Sequence, residues 1–189
     1  MTMKQKEITV NSTLIHKGKI IDLYKENVRL PNGKETIREI VRHKGACAVL
    51  ATTENDEIIL IQQYRKSLDK VIYEVPAGGI ESGEDLAVCA MRELEEETAY
   101  RPKDNSVIHL ASLCTTPGFS DEMIHIFYAK NVVKTSEKRD CDEDEFIEVL
   151  LLSEAEVLEW ISTGKIIDAK TVCAFFLYQQ YKTDNLVQG

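Results

Sequence analysis

Long apolar runs are missing from this chain of 189 residues. No stretch approaches the roughly 18 continuous apolar residues of a membrane span, and the opening MTMKQKEITVNSTLIHKG has no apolar core of signal-peptide length. The reading is a soluble cytoplasmic protein with no membrane partner. Positive charge is also in deficit: 23 Lys and Arg stand against 32 Asp and Glu, a formal net charge of −9. That balance argues against a nucleic-acid partner held by a basic surface, and a phosphorylated substrate would need local Arg, Lys or metal to offset the field. Cysteine pairs are lacking. Cys47, Cys89, Cys114, Cys141 and Cys173 are odd in number, widely spaced and never in a CxxC pair, which disfavours a disulfide framework or a zinc site and fits reduced thiols. His16, His43, His109 and His125 have no metal-ligand spacing, and no Ser-His-Asp arrangement emerges. Low-complexity segments and internal repeats are absent as well.

What is present is an ordinary globular balance, 43% hydrophobic and 29% charged, in a chain long enough for one well-buried domain with a small extension. From Lys19 to His43 apolar and polar residues alternate on both sides of Pro31-Asn32-Gly33, which predicts two strands and a tight turn. ACAVLATT (Ala46 to Thr53) and IILIQQYR (Ile58 to Arg65) predict a more buried pair around Asn55-Asp56-Glu57, followed by VIYEVP from Val71. SVIHLASLCT, EMIHIFYAKNV and EFIEVLLL read as further strands. Two helical patterns close the chain: SEAEVLEWISTG, with Ser153 and Glu156 at capping-box spacing, and DAKTVCAFFLYQQY opening at Asp168. The expected class is α+β, a mixed sheet sandwiched between helices, with residues 1–44 as a small N-terminal antiparallel sheet and 45–189 as the main domain.

The segment GGIESGEDLAVCAMRELEEETAY, Gly78 to Tyr100, carries the chemistry. Ser82 and Asp85 have capping-box spacing, and Leu86, Ala87, Ala90, Met91 and Leu94 share one face, so a helix is expected from about Glu84 to Thr98. Glu93, Glu96 and Glu97 fall beside that apolar stripe within an arc of about 100°, while Glu95 is expected to face solvent. Like charges at this spacing destabilise an exposed helix by a few tenths of a kcal/mol per pair and tend to take up protons near a core. A hard divalent cation with oxygen ligands removes both problems, and a solvated acidic face is the plain alternative.

The spacing resembles the Nudix box: a glycine, five residues, Glu, seven residues, Arg-Glu, an aliphatic residue, one residue, Glu-Glu, one residue, Gly and an apolar residue. Ala99 stands where that pattern has its second glycine. The residue after a helix often takes the left-handed conformation, which alanine enters only at about 1–2 kcal/mol, so Ala99 reads as a local stability cost. YEVPAGGIESGE, TTPGFSDE and the N-terminal sheet together resemble the ADP-ribose pyrophosphatase branch, in which a proline, here Pro117, follows the box by about 16 residues.

The resemblance implies Mg²⁺-dependent hydrolysis of ADP-ribose to AMP and ribose 5-phosphate, with Mn²⁺ as an alternative ion. It assigns the metal to Glu93, Glu96, Glu97 and the Ala77 carbonyl, with Glu84 metal-linked and Arg92 orienting the carboxylates. Arg65 would contact the diphosphate, and Tyr24, Arg38 and Arg42 the adenine. The general base is assigned to the acidic run CDEDEFIEV, first to Glu143 and then to Glu145. A homodimer with exchanged N-terminal sheets is implied. Another nucleoside diphosphate sugar such as GDP-mannose, and a binding module that senses ADP-ribose without cleaving it, are the competing readings; the intact Arg92-Glu93 and Glu96-Glu97 pairs disfavour the second.

Overall fold

The computed structural model describes residues 4–135 and 146–186. The chain divides into two compact units: residues up to Gly45 together with Cys114–Met123, and Ala46–Leu113 with the chain from Ile124 onward.

The first unit is built on an antiparallel sheet of β1 (Ile8–Lys17), β2 (Ile21–Arg29) and β3 (Glu35–His43) in that order. The expected hairpin is present. Gly33 takes φ 83° in the turn, where Leu30 N–H donates to the Lys34 carbonyl at 2.8 Å. β1 lay outside the sequence expectation for a physical reason. Irregularities between Thr9 and Asn11 and between Leu14 and His16 interrupt its period of two, and every residue of it is exposed. The 114–123 segment docks on β3, with Val41 N–H donating to the Phe119 carbonyl at 2.7 Å and Asp121 N–H to the Val41 carbonyl at 3.2 Å.

The second unit holds an eight-stranded sheet. Its elements are β4 (Ala46–Thr53), β5 (Ile58–Arg65), β6 (Lys70–Glu74), β7 (Ala77–Gly79), β8 (Tyr100–Pro102), β9 (Ile108–Cys114), β10 (Met123–Lys134) and β11 (Glu148–Leu152). The central path runs β11-β5-β4-β10-β8, with β6 paired to β5, β7 to β4 and β9 to β10. β4 and β10 are parallel, and β4 is antiparallel to β5 and β7. Among the described residues three helices belong to this unit, α1 (Leu86–Thr98), α2 (Glu154–Ser162) and α3 (Ala169–Leu186).

β4 explains the layering. Cys47, Val49 and Ala51 pack with Cys89, Ala90 and Leu94 of α1, while Ala48 and Leu50 pack with Val157 of α2 and Ala174, Phe175 and Tyr178 of α3. Successive strand residues therefore face opposite helical layers, so β4 is apolar from Ala46 to Ala51 instead of alternating. The α+β sandwich is as expected. Among the described residues no helix is long and apolar enough to cross a membrane.

Candidate active site

Asp85 starts α1. Its carboxylate accepts from the N–H groups of Ala87 at 2.9 Å and Val88 at 3.3 Å, so the cap is Asp85 and not Ser82, and the helix begins later than the expected Glu84. Gly83 at φ 81° turns the chain away from helical geometry just before it. That turn frees Glu84, whose carboxylate reaches back to accept from Glu81 N–H at 3.0 Å. Glu95 is half-buried, where the helical arc pointed it to solvent.

Arg92 answers the crowding of glutamates. Its Nε and Nη2 grip Glu84 at 2.8 and 3.0 Å, and its Nη1 donates to Glu93 at 2.7 Å and Glu96 at 2.9 Å. Nη2 also donates to the Gly79 carbonyl at 3.1 Å, which ties the helix to the segment before it. The hydrogen bond from Arg92 holds the Glu84 carboxyl at about 2, far below its usual range, and the three carboxylates push the guanidinium's own pKa up.

Glu97 lies on the inner side of the same helix, 4% exposed, and accepts from Ala77 N–H at 2.9 Å. The residue whose carbonyl was expected to bind metal is thus tied to one of the expected carboxylate ligands. Gly78, next in line, has no room for a side chain, because a Cβ there would run into the Glu93 carboxylate. The first glycine of the motif is there to let strand and carboxylate approach. Ala77, Glu84, Arg92, Glu93, Glu96 and Glu97 are therefore gathered into one cluster of oxygens and one guanidinium. Among the described residues no three His, Cys, Asp or Glu side chains are disposed to hold a metal ion by themselves. Glu84, Glu93 and Glu96 are turned to Arg92 instead. The all-oxygen donor set, with a half-buried backbone at Ala77 beside the buried Glu97, is chemically suited to a hard divalent cation.

Arg65, at the end of β5, grips both oxygens of Glu74 at 2.7 and 2.9 Å. Glu74 is 1% exposed and also pairs with Lys170, which reaches Asp168 at 3.0 Å. Burial pushes the Glu74 carboxyl up, but its bonds to Arg65 and Lys170 outweigh that and hold it ionised. Asp168 accepts from Thr171 N–H at 2.9 Å and its hydroxyl at 2.6 Å, and the Thr171 hydroxyl in turn accepts from Val75 N–H at 2.8 Å. Glu74 and Lys170 had no assigned role from sequence. The available signal was Glu74 itself, a charge between Tyr73 and Val75 in a strand-forming run.

Tyr24, Arg38, Arg42 and Pro117 all fall in the first unit. Tyr24 is half-buried in β2 opposite Ile40. Arg38 is paired to Glu7 through Nε at 3.1 Å and Nη2 at 2.7 Å. Arg42 donates to Asp121 at 3.0 Å and Glu26 at 3.2 Å, and the Asp121 bond raises its pKa. Pro117 opens the exposed turn that ends in the Phe119 and Ser120 N–H bonds to the Thr116 carbonyl, at 3.1 and 3.0 Å. Both bases proposed from sequence, Glu143 and Glu145, lie outside the described residues.

Residues 41–175 match the NUDIX domain family, and residues 7–41 match the nucleoside diphosphate sugar hydrolase N-terminal domain. The chain belongs to the Nudix family, whose members generally use a divalent metal. It is 46% identical over 168 residues to the ADP-ribose pyrophosphatase of Bacillus subtilis (strain 168), covering 89% of this chain and 90% of that protein. It is 45% identical over the same length to a methanol dehydrogenase activator of Bacillus methanolicus, with the same coverages of 89% and 90%. An ADP-ribose pyrophosphatase of Mycobacterium tuberculosis (strain ATCC 25618 / H37Rv) is 32% identical, with 85% of this chain and 77% of that protein covered. The crystal structure of an ADP compounds hydrolase superposes with a TM-score of 0.84 over 96% of both chains at 20% identity, a likeness of fold.

Proposed function

We propose that this chain hydrolyses the diphosphate linkage of ADP-ribose to AMP and ribose 5-phosphate in a reaction that depends on Mg²⁺. The observation that carries the reading is the cluster of Glu84, Glu93, Glu96 and Glu97 around Arg92 and Ala77, in a chain 46% identical to an ADP-ribose pyrophosphatase. Glu93, Glu96, Glu97 and the Ala77 carbonyl would hold the cation, with Glu84 linked to it through Arg92. When bound, Mg²⁺ supplies Lewis-acid polarisation of the phosphoryl oxygens and lowers the pKa of an attacking water. Arg65 neutralises charge on the diphosphate, and Glu143 or, next, Glu145 accepts the water's proton. Tyr24, Arg38 and Arg42 supply flat and hydrogen-bonding contacts to the adenine, and Pro117 shapes the loop beside them.

The working form is a homodimer with exchanged N-terminal sheets. What supports this is the apolar surface of the first unit: Ile8, Ile15 and Ile20 are 59%, 55% and 69% exposed. Cys47, Cys89, Cys114 and Cys173 are free, which fits the reducing cytoplasm.

The test is product analysis with ADP-ribose, GDP-mannose, NADH and coenzyme A, each with Mg²⁺, with Mn²⁺ and with chelator. AMP and ribose 5-phosphate forming fastest from ADP-ribose, and only with metal, is the expected result. Faster turnover of GDP-mannose would move the reading to that sugar nucleotide, and ADP-ribose binding without any turnover would make the chain a sensor.

A further inference from the structure

The buried charges beside Arg65 have a division of labour that ordinary core packing does not require. Glu74 is one carboxylate facing two cations, Arg65 on one side and Lys170 on the other. A bidentate pair between Arg65 and Glu74 alone would fix the guanidinium but cancel its charge, leaving little field for an incoming anion. Lys170 sits on the same carboxylate and supplies the second positive charge. Asp168, which also meets Lys170, is balanced from another direction: it accepts from the N–H and hydroxyl of Thr171 in the first turn of α3, where the helix dipole favours an anion. With Lys170 on the same carboxylate, the charge of Glu74 is divided between two cations and is not spent on Arg65 alone.

Arg65 also keeps a free edge. Its bonds to Glu74 use Nε and Nη2, its Nη1 has no partner among the described residues, and its side chain is 40% exposed. Glu74, which it grips, lies three residues before Ala77, whose N–H donates to Glu97, so the chain that holds Arg65 leads straight into the acidic cluster. The chain just after Glu74 is fastened at successive residues, by Val75 N–H to Thr171, by Val49 N–H to the Pro76 carbonyl at 2.9 Å, and by Ala77 N–H to Glu97. Glu74 cannot drift, and Arg65 is held to it at two points.

We propose that Glu74 and Lys170 are positioning residues for the diphosphate subsite: Glu74 aims Arg65 by its two hydrogen bonds, and Lys170 offsets the charge of Glu74 so that Arg65 meets the substrate's diphosphate as an effective cation. Neither residue touches the substrate in this scheme. The inference rests on the diphosphate hydrolase reading, in which Arg65 is the contact.

The experiment is calorimetric titration of the full-length protein, in chelator, with the methylene-bridged analogue of ADP-ribose, which cannot be cleaved. Steady-state kinetics with ADP-ribose and metal, and melting curves, are recorded on the same preparations. Lys170→Met should weaken analogue binding about tenfold, and Lys170→Arg should stay within about threefold of wild type. Arg65→Ala should weaken binding at least as much as Lys170→Met, and the double variant should bind no more weakly than Arg65→Ala alone, since Lys170 acts through Arg65. In kinetics the Lys170→Met loss should fall on KM more than on kcat. A full further loss on adding Lys170→Met to Arg65→Ala overturns the proposal, and so does a Lys170→Met that lowers the melting temperature with binding unchanged. If Lys170→Met does not fold, Lys170→Gln takes its place, alone and combined with Arg65→Ala, and is read by the same outcomes. A wild type that binds the analogue but leaves ADP-ribose intact removes the hydrolase reading while the binding series still decides the triad. A wild type that does not bind it removes both.

Discussion

Ala99 sits at φ 59°, ψ 29°, in the left-handed region that a Cβ makes costly by about 1–2 kcal/mol. It stays there because the surroundings over-determine it. Its N–H donates to the Glu95 carbonyl at 2.9 Å, and its own carbonyl accepts from Thr135 N–H at 2.8 Å and the Thr135 hydroxyl at 3.2 Å. The departure from the family pattern is thus a matter of backbone strain at a helix exit, two residues past Glu97, where the side chain adds no oxygen to the cluster. Ala99→Gly relieves the strain and gives up one buried methyl, so urea unfolding should show a net gain of about 0.5–1 kcal/mol. Turnover of the variant should stay within about twofold of wild type, because the residue offers no side-chain oxygen to the cluster.

α1 brings the cluster together, and the N-terminal cap decides where it begins. Asp85→Ala should cost about 1 kcal/mol, whereas Ser82→Ala, exposed in the preceding turn, should cost less than about 0.5, as read by parallel denaturation curves. The sequence pattern put the cap at Ser82 with Asp85 as its partner, whereas the turn at Gly83 and the N–H bonds to the Asp85 carboxylate move the cap three residues on. The same division runs through the rest of the chain. β4, β5, the Ser153 capping box of α2 and the hairpin at Gly33 were legible because each rests on local pattern or turn chemistry. The spacing of Glu93, Glu96 and Glu97 was legible too, as was the nearness of Arg92 to these carboxylates. Three things were not. β1 was hidden by its irregular register, and the pairing of Arg65 and Lys170 on Glu74 joins residues far apart in sequence. The hydrogen bond from Ala77 to Glu97 likewise depends on how β7 packs against α1, which no local pattern encodes.

The first unit is a thin sheet with little core of its own: Val28 is its one fully buried large apolar residue among those described, while Ile8, Val10, Leu14, Ile15, Ile20 and Ile37 remain exposed. A surface of that kind on a chain of net charge −9 calls for a protein partner, and a second copy of the chain is the partner proposed. Light scattering behind size exclusion should therefore give twice the chain mass of 21.4 kDa. Ile8→Asp with Ile15→Asp should shift the mass toward that of a single chain, since a buried charge opposite an apolar surface is strongly disfavoured. A monomeric wild type would remove the exchanged-sheet arrangement.

β4 has one more property of consequence. It is apolar toward both helical layers, and along one edge its neighbour is the parallel strand β10, with Ala48 beside Ile126 and Leu50 beside Tyr128. During synthesis on the ribosome β4 emerges long before Ile124–Ala129 exists, so the nascent chain carries an unpaired, water-averse strand edge through the making of β5, β7, α1 and β9. Closing so distant a pair is slow, because loop entropy must be spent before the contact rewards it. The element that organises the finished core is therefore also one open to premature self-association while the protein is being made.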